Sequence, residues 1–355
     1  MKLQGIVLIL LLLIGRILFK ISVSKFRNLE KIKLLRMDTS KEVKKEDLSI
    51  KVPNNSPLEE GNSNIKDVDL IESNTPSIEN EELLEPETIP QESSKCEEII
   101  RFAGNYKLKI RSFRIPKDGF TEDECEDNSA ISSESSETVR IAVSDGATEG
   151  IFSSIWSELL VNKYVEAGSQ IFVPSQLNFV HDEFVLKAFQ NISNMPETRH
   201  WFMYEKLDRG THATMATVEF SNSNTIQIST IGDSCIFWYN QNEIGMLPEL
   251  SSNDFASFPN TICHSPNTWQ NIDNKLVKKE ILIDNFFQIS LCTDALACWL
   301  VKRLKEQNEL LNWSKIFEIS CLSSFKEFIQ ELRARKEIRN DDVTLVLIDV
   351  LPLNV

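Results

Sequence analysis

The chain has 355 residues, 41% hydrophobic and 26% charged, with a formal charge of −15. That length allows one or two domains with a buried core, and the acidic balance argues against a general nucleic-acid binder, because phosphate attraction needs a basic surface. The seven cysteines (96, 125, 235, 263, 292, 298, 321) form no CxxC pair and no Cys/His cluster, which sets aside a disulfide framework and a structural zinc site and suits a reducing compartment.

Charge divides the chain into three regimes. Residues 1–36 hold eight Lys/Arg and one acid, Glu30, a net +7. Residues 6–14 are uninterrupted apolar, and apolar residues continue past Arg16 and Lys20 to Val23. A spanning helix needs ~20 mostly apolar residues, a length reached over 3–23 if both cations snorkel. The basic flank (Lys20, Lys25, Arg27, Lys31, Lys33, Arg36) predicts an N-terminal anchor with a cytoplasmic body. A signal peptide and an interfacial helix are the rival readings. Residues 37–98 carry six Lys and seventeen Asp/Glu, with no aromatic residue between Asp38 and Cys96. Such a segment buries too little apolar area to offset chain entropy and is expected to be a disordered acidic linker.

Residues 99–355 contain all six Trp and are expected to form one domain. Tyr106–Ile115 alternates at period two and predicts a strand. A short strand is expected near Ser129–Ser132, then a strong one over Thr138–Ser144 that stops at Asp145-Gly146. Apolar spacing predicts helices over 150–166 and about 176–192. Strand patterns follow over Thr214–Phe220, Thr225–Ile231 and Cys235–Tyr239. The loop Gly232-Asp233-Ser234 reads as a tight hairpin turn with no catalytic role. An irregular stretch is expected over 245–275, a buried strand over Phe286–Cys292, helices over 295–307 and 313–335, and a closing strand over Asp342–Val350. Strands and helices come in blocks rather than in strict alternation, which predicts an α+β domain of antiparallel sheets with helices packed outside.

Acids recur where these strands meet loops: Glu126-Asp127, Asp145, Asp294 and Asp341-Asp342. A carboxylate at one strand end is an ordinary solvation residue. Four such spots on neighbouring strands would converge at one sheet edge, where mutual repulsion calls for a compensating cation. Hard oxygen donors favour Mg²⁺ or Mn²⁺, and two such ions lower the pKa of a bridging water. The chemistry that follows is hydrolysis of a phosphate ester without a protein nucleophile.

The ordered series ECEDNSAI, VRIAVSDGATEG, GTHATMATVEF, IQISTIGDSCIFWY, FFQISLCTDALACWL and NDDVTLVLI resembles the metal-dependent serine/threonine protein phosphatases of type 2C, in a divergent, bacterial-like form, over about residues 105–350. The resemblance implies a central antiparallel β-sandwich flanked by helices, in α-β-β-α layers. It implies two Mn²⁺ or Mg²⁺ ions held by Asp127, Asp145, the Gly146 carbonyl, Asp294 and Asp341, with Asp145 and Asp294 at the centre of catalysis. A phosphoprotein substrate and a kinase-signalling partner follow from it. Two departures stand out. The usual glycines after Asp145-Gly146 and after Asp294 are replaced by Ala147-Thr148-Glu149 and by Ala295, and Ala at a positive φ would cost about 1 kcal/mol. The phosphate-binding arginine has no clean counterpart, and Arg114 and Lys117 are the nearest candidates. These departures keep open a second reading, a catalytically weak phosphatase-like module that binds a phosphoprotein or a signalling partner, and a third, hydrolysis of another phosphate ester.

Overall fold

The computed structural model describes residues 98–133, 138–240, 243–283 and 287–353. The anchor expected over 1–36 and the linker expected over 37–98, save for its last residue, lie outside the described residues. Among those described, no helix is long and apolar enough to cross a membrane.

The described residues open on a hairpin, β1 (Ile99–Ala103) and β2 (Tyr106–Ile115), closed at Gly104 with φ 54°. Then come β3 (Asn128–Ile131), β4 (Val139–Ser144) and three helices, α1 (Ser153–Ala167), α2 (Pro174–Ser193) and α3 (Glu197–Arg209). The next strands are β5 (His212–Ala213), β6 (Met215–Phe220), β7 (Thr225–Ile231), β8 (Cys235–Tyr239), β9 (Ile244–Leu247), β10 (Ile262–Cys263), β11 (Val277–Leu282) and β12 (Phe287–Cys292). Helices α4 (Asp294–Leu300), α5 (Leu311–Glu318) and α6 (Leu322–Ala334) precede the last strand, β13 (Val343–Pro352).

A six-stranded sheet runs β1-β2-β13-β12-β8-β9 and a five-stranded sheet β11-β7-β6-β4-β3, with antiparallel neighbours throughout; β5 and β10 form a small separate pair. Strand parity fixes what lies between the sheets, because alternate side chains take opposite faces. Tyr106, Leu108 and Ile110 of β2 join Val346, Ile348 and Val350 of β13 and Ile289 and Leu291 of β12 in the inter-sheet core. The opposite face of the same strands, Phe113, Ile115, Leu345 and Leu347, packs on α4, α5 and α6. Both faces of β13 are therefore buried, which is why VTLVLIDV reads as a nearly continuous apolar run. On the far side, α1 and α2 cover the five-stranded sheet through Trp156, Leu160, Phe184 and Ala188. The four layers are those expected from the sequence.

Some elements differ from the sequence expectations. The segment from 313 to 335 is two helices, broken at Ile319–Cys321. Helix α4 loosens into a π-helical stretch over Val301–Glu306. The irregular stretch 245–275 contains β10 and the end of β9. Helix α3 and strands β1 and β11 carry too few buried side chains for a sequence pattern to mark them: Leu207 is the one buried residue of α3, Ala103 of β1 and Ile281 of β11.

Candidate metal centre

The strand registers bring the acids to one end of the sandwich. Asn128 lies opposite Ser144, so Asp127, just before β3, sits beside Asp145, just after β4. Cys292 lies opposite Leu345 and also opposite Cys235. Asp294 is therefore flanked by the Asp341-Asp342 loop on one side and by Asp233 on the other. Hydrogen bonds lock these connections: the Thr293 N–H donates to the Thr344 carbonyl (3.2 Å), and the Thr214 N–H to the Asp145 carbonyl (2.9 Å). The Thr214 and Ser234 hydroxyls are 2.6 Å apart and tie the Asp145 loop to the Asp233 loop.

Carboxylate oxygens of Asp145, Asp233 and Asp294 lie within 4.8 Å of one another. Asp127 is 1% exposed behind them, and neither of its carboxylate oxygens has a hydrogen-bond partner. Burial pushes its carboxyl well above the usual range, and the neighbouring charge of Asp145 adds to the push; Thr293 and Thr344 oppose it from outside hydrogen-bonding geometry. Burial likewise pushes Asp145 up to about 7, with Asp233 and Asp341 reinforcing the shift and the Arg339 guanidinium opposing it. Asp233 is raised by burial as well, and its Oδ1 has no partner. Carboxylates crowded and desolvated in this way repel one another and call for a compensating cation, and their oxygen donors fit hard divalent ions.

The placement of Asp233 corrects the hairpin reading of Gly232-Asp233-Ser234. Strand β7 pairs with β6 and β11, and β8 with β9 and β12, so these three residues cross from one sheet to the other instead of closing a hairpin. Gly232 has φ 97°, and a Cβ there would meet the Thr214 side chain at 2.6 Å and the Asn260 carbonyl at 2.7 Å. The crossing therefore needs glycine, and it delivers the next residue to the acids. The sequence signal was available in the apolar runs on both sides, TIQISTI and CIFWY, each too buried for an exposed hairpin.

Asp341 and Asp342, adjacent in sequence, have different surroundings. Asp342 is buried and accepts the Lys117 N–H through Oδ1 (2.9 Å) and the Glu126 N–H through Oδ2 (2.8 Å), pinning the loop that carries Asp127. Asp341 stays at the rim, where its Oδ2 faces Arg339 Nε at 3.4 Å. Gly146 is packed against backbone: a Cβ would stand 2.7 Å from the Ser153 carbonyl oxygen and 2.9 Å from that of Glu126. Ala295 lies in the first turn of α4, and the positive-φ residues other than glycine among those described are Phe152, Asn308 and Lys336. The helix begins at Asp294, so the following residue takes helical φ and needs no glycine.

The two candidate phosphate contacts lie near this end with partners of their own. Arg114, on the inner face of β2, donates through Nη1 to the Asp127 carbonyl (3.0 Å) and to Asn128 Oδ1 (2.9 Å). Lys117 Nζ lies 3.7 Å from Glu126 Oε2 and 4.7 Å from the centre of the Phe120 ring. Glu126 also accepts the hydroxyls of Thr148 (2.6 Å) and Ser153. Arg339 was not singled out in the sequence, yet its guanidinium pairs with Asp294.

The family model for protein phosphatase 2C matches residues 121–345. No curated protein matches the chain. Among solved structures, the chain is similar to the catalytic domain of the serine/threonine protein phosphatase PstP in complex with two manganese ions, at 15% identity and TM-score 0.44 over 69% of this chain and 99% of that one. It is similar to RsbX in complex with magnesium, at 13% identity and TM-score 0.40 over 71% and 100%. The phosphatase domain of the cell fate determinant SpoIIE from Bacillus subtilis matches at 12% identity and TM-score 0.38 over 72% and 96%.

Proposed function

Because the chain belongs to the protein phosphatase 2C family, we propose that it is a metal-dependent protein serine/threonine phosphatase whose centre is the acid cluster at the end of the sandwich. The observation that carries this reading is the meeting of Asp145, Asp233 and Asp294 within 4.8 Å, backed by a buried Asp127 whose two oxygens are unpartnered. Asp127, Asp145, the Gly146 carbonyl, Asp294 and Asp341 would hold a pair of Mn²⁺ or Mg²⁺ ions, with Asp233 as a further carboxylate. When bound, such ions supply an activated water and a Lewis acid for the phosphoryl oxygens.

The chain's own groups prepare that site. Thr214, Ser234 and Asp342 fix the loops so that the donors are set before an ion arrives. Among the described residues no thiolate nucleophile is on offer at this end of the sandwich: Cys125, Cys235 and Cys292 are buried, and burial pushes all three thiols up. Direct attack by water on phosphoserine or phosphothreonine is the chemistry left. Arg114 and Lys117 remain the proposed contacts for the phosphate, Lys117 through an ammonium whose acidic partner, Glu126, is shared with two hydroxyls.

The apolar run and basic flank of residues 1–36 support tethering of this domain to a membrane, with the acidic segment 37–98 setting its reach and a kinase acting on the same phosphoprotein as counterpart. The replaced glycines that motivate a non-catalytic module cost no backbone strain, because Ala295 is helical and none of Ala147, Thr148 and Glu149 has a positive φ; the unmatched arginine remains as a motive. The test is phosphopeptide hydrolysis by the full-length chain with Mn²⁺, with Mg²⁺ and with chelator. Activity should require metal, and Asp145→Asn should lower it by at least about 100-fold. Hydrolysis that survives chelator or Asp145→Asn would overturn the assignment.

A further inference from the structure

Arg339 has no part in the reading above, yet it lies inside the acid centre. Its Nη2 pairs with Asp294 Oδ2, and its Nε is 3.4 Å from Asp341 Oδ2. Asp145 and Asp233, whose carboxylate oxygens lie within 4.8 Å of that of Asp294, are also within reach of its charge. One guanidinium therefore faces four acids that otherwise repel one another.

The backbone that presents it is fixed on both sides. Helix α6 ends in a left-handed Lys336 (φ 57°), with the Lys336 N–H donating to the Arg333 carbonyl and the Glu337 N–H to the Leu332 carbonyl. Glu337 pairs with Arg303 (2.8 Å) and accepts the Trp299 indole N–H (3.0 Å), and Ile338 is buried. On the other side, Arg333 donates to the Asp341 carbonyl (2.6 Å). The Arg339 side chain itself is 45% exposed. It can swing into solvent without disturbing any packed element.

We propose that Arg339 is a tethered counter-ion of the acid centre, which neutralises Asp294 and Asp341 in the metal-free protein and must leave before a divalent cation binds. This rests on the metal-site reading given above. A guanidinium carries one charge at the end of a long arm, and its fork suits two carboxylates. A divalent ion brings twice the charge to a shorter distance and wins the exchange, but against a standing competitor. The residue thus lowers the metal affinity that the acids alone would give, and it offsets their mutual repulsion until an ion binds.

The experiment is calorimetric titration of Mn²⁺ into the full-length chain, comparing wild type with Arg339→Gln, Arg339→Lys and Arg335→Gln, alongside thermal melts in chelator. Arg335, paired with Glu331 on the exposed end of α6, is the control for loss of net charge. Arg339→Gln should bind Mn²⁺ about two- to fivefold more tightly, and Arg339→Lys, which keeps the charge and loses the fork, should fall between it and wild type. Arg335→Gln should bind as wild type does. In chelator, Arg339→Gln should melt below wild type, and Mn²⁺ should close that gap. Equal or weaker binding by Arg339→Gln, or an equal gain in Arg335→Gln, would overturn the counter-ion role while leaving the metal site in place. Absence of Mn²⁺ binding in wild type and Arg339→Gln alike would instead overturn the metal-site reading, and the counter-ion with it.

Discussion

Adjacent acids with the same side chain act differently once their partners are known. Asp342 caps two backbone N–H groups that lie 225 and 216 residues away in sequence, whereas Asp341 faces Arg339 at the rim. Removing a buried charged acceptor from two part-buried backbone donors costs about 2 kcal/mol, so Asp342→Ala should lower the unfolding free energy by that amount. Asp341→Ala, which loses one part-buried hydrogen bond from the Asp342 N–H (3.0 Å), should cost less, about 1 kcal/mol, while weakening Mn²⁺ binding. Denaturant unfolding of the two variants beside a metal titration separates the roles. From the sequence alone both residues were acids before a strand, and the pairing of β13 with β2 and β12 is what divides them. Asp127, Asp145, Asp294 and Asp341 were legible because each ends or precedes an apolar run. Asp233 and Arg339 were not. The first sits in a crossing that looks like a turn, and the second reaches the acids through a side chain whose direction no local pattern encodes.

Elements were legible in proportion to how much of their length is buried. Strands β2, β4, β6, β7 and β12 present alternating or continuous apolar runs, and all were expected. Helix α3 packs Met203, Tyr204 and Leu207 inward but also places Trp201 and Phe202 in solvent, so the exposed aromatics blur its apolar stripe and it went unseen. The end of α6 shows how a terminus is built against preference. The Glu337-to-Leu332 and Lys336-to-Arg333 hydrogen bonds form a Schellman cap, which places Lys336 in the left-handed region that suits glycine. Its side chain is exposed. Lys336→Gly should therefore stabilise the protein by about 1 kcal/mol, through relief of the Cβ penalty. Chemical denaturation with an unchanged m-value would show the gain, and a loss would mean that the lysine side chain contributes packing that its exposure does not indicate.

Across the whole molecule, the acid centre is not the only group that couples the fold to pH. His264 lies under α2, its ring 5.7 Å from His181 and 4.9 Å from Phe184, with Nδ1 accepting the Thr211 N–H at 2.9 Å. Burial holds it neutral and pulls its pKa down to about 4, and the charge of His181 pulls the same way. In the unfolded chain a histidine takes its proton near 6.5. Between those values the unfolded state binds a proton that the folded state refuses, so this contribution is complete above pH 6.5 and is lost as pH falls toward 4. Asp145, raised by burial, works in the opposite direction in the metal-free protein, so the total profile mixes the two. The difference between wild type and His264→Asn isolates the histidine: the melting temperature of wild type should fall more steeply between pH 6.5 and 4.5, and parallel curves would remove His264 from the account.

The position of β13 has a consequence for the order in which the molecule comes into being. This strand is interior to the six-stranded sheet, between β2 and β12, although it follows both in the chain. A nascent chain can pair β3 with β4 and β6 with β7 early, since those partners are close in sequence. The gap between β2 and β12 stays open until the final strand enters it. Asp341 and the Asp342 clasp arrive with that strand, so the acids assemble in the last step of folding. A partly synthesised or partly refolded chain would have no working centre, and hydrolysis would begin only once the sheet has closed.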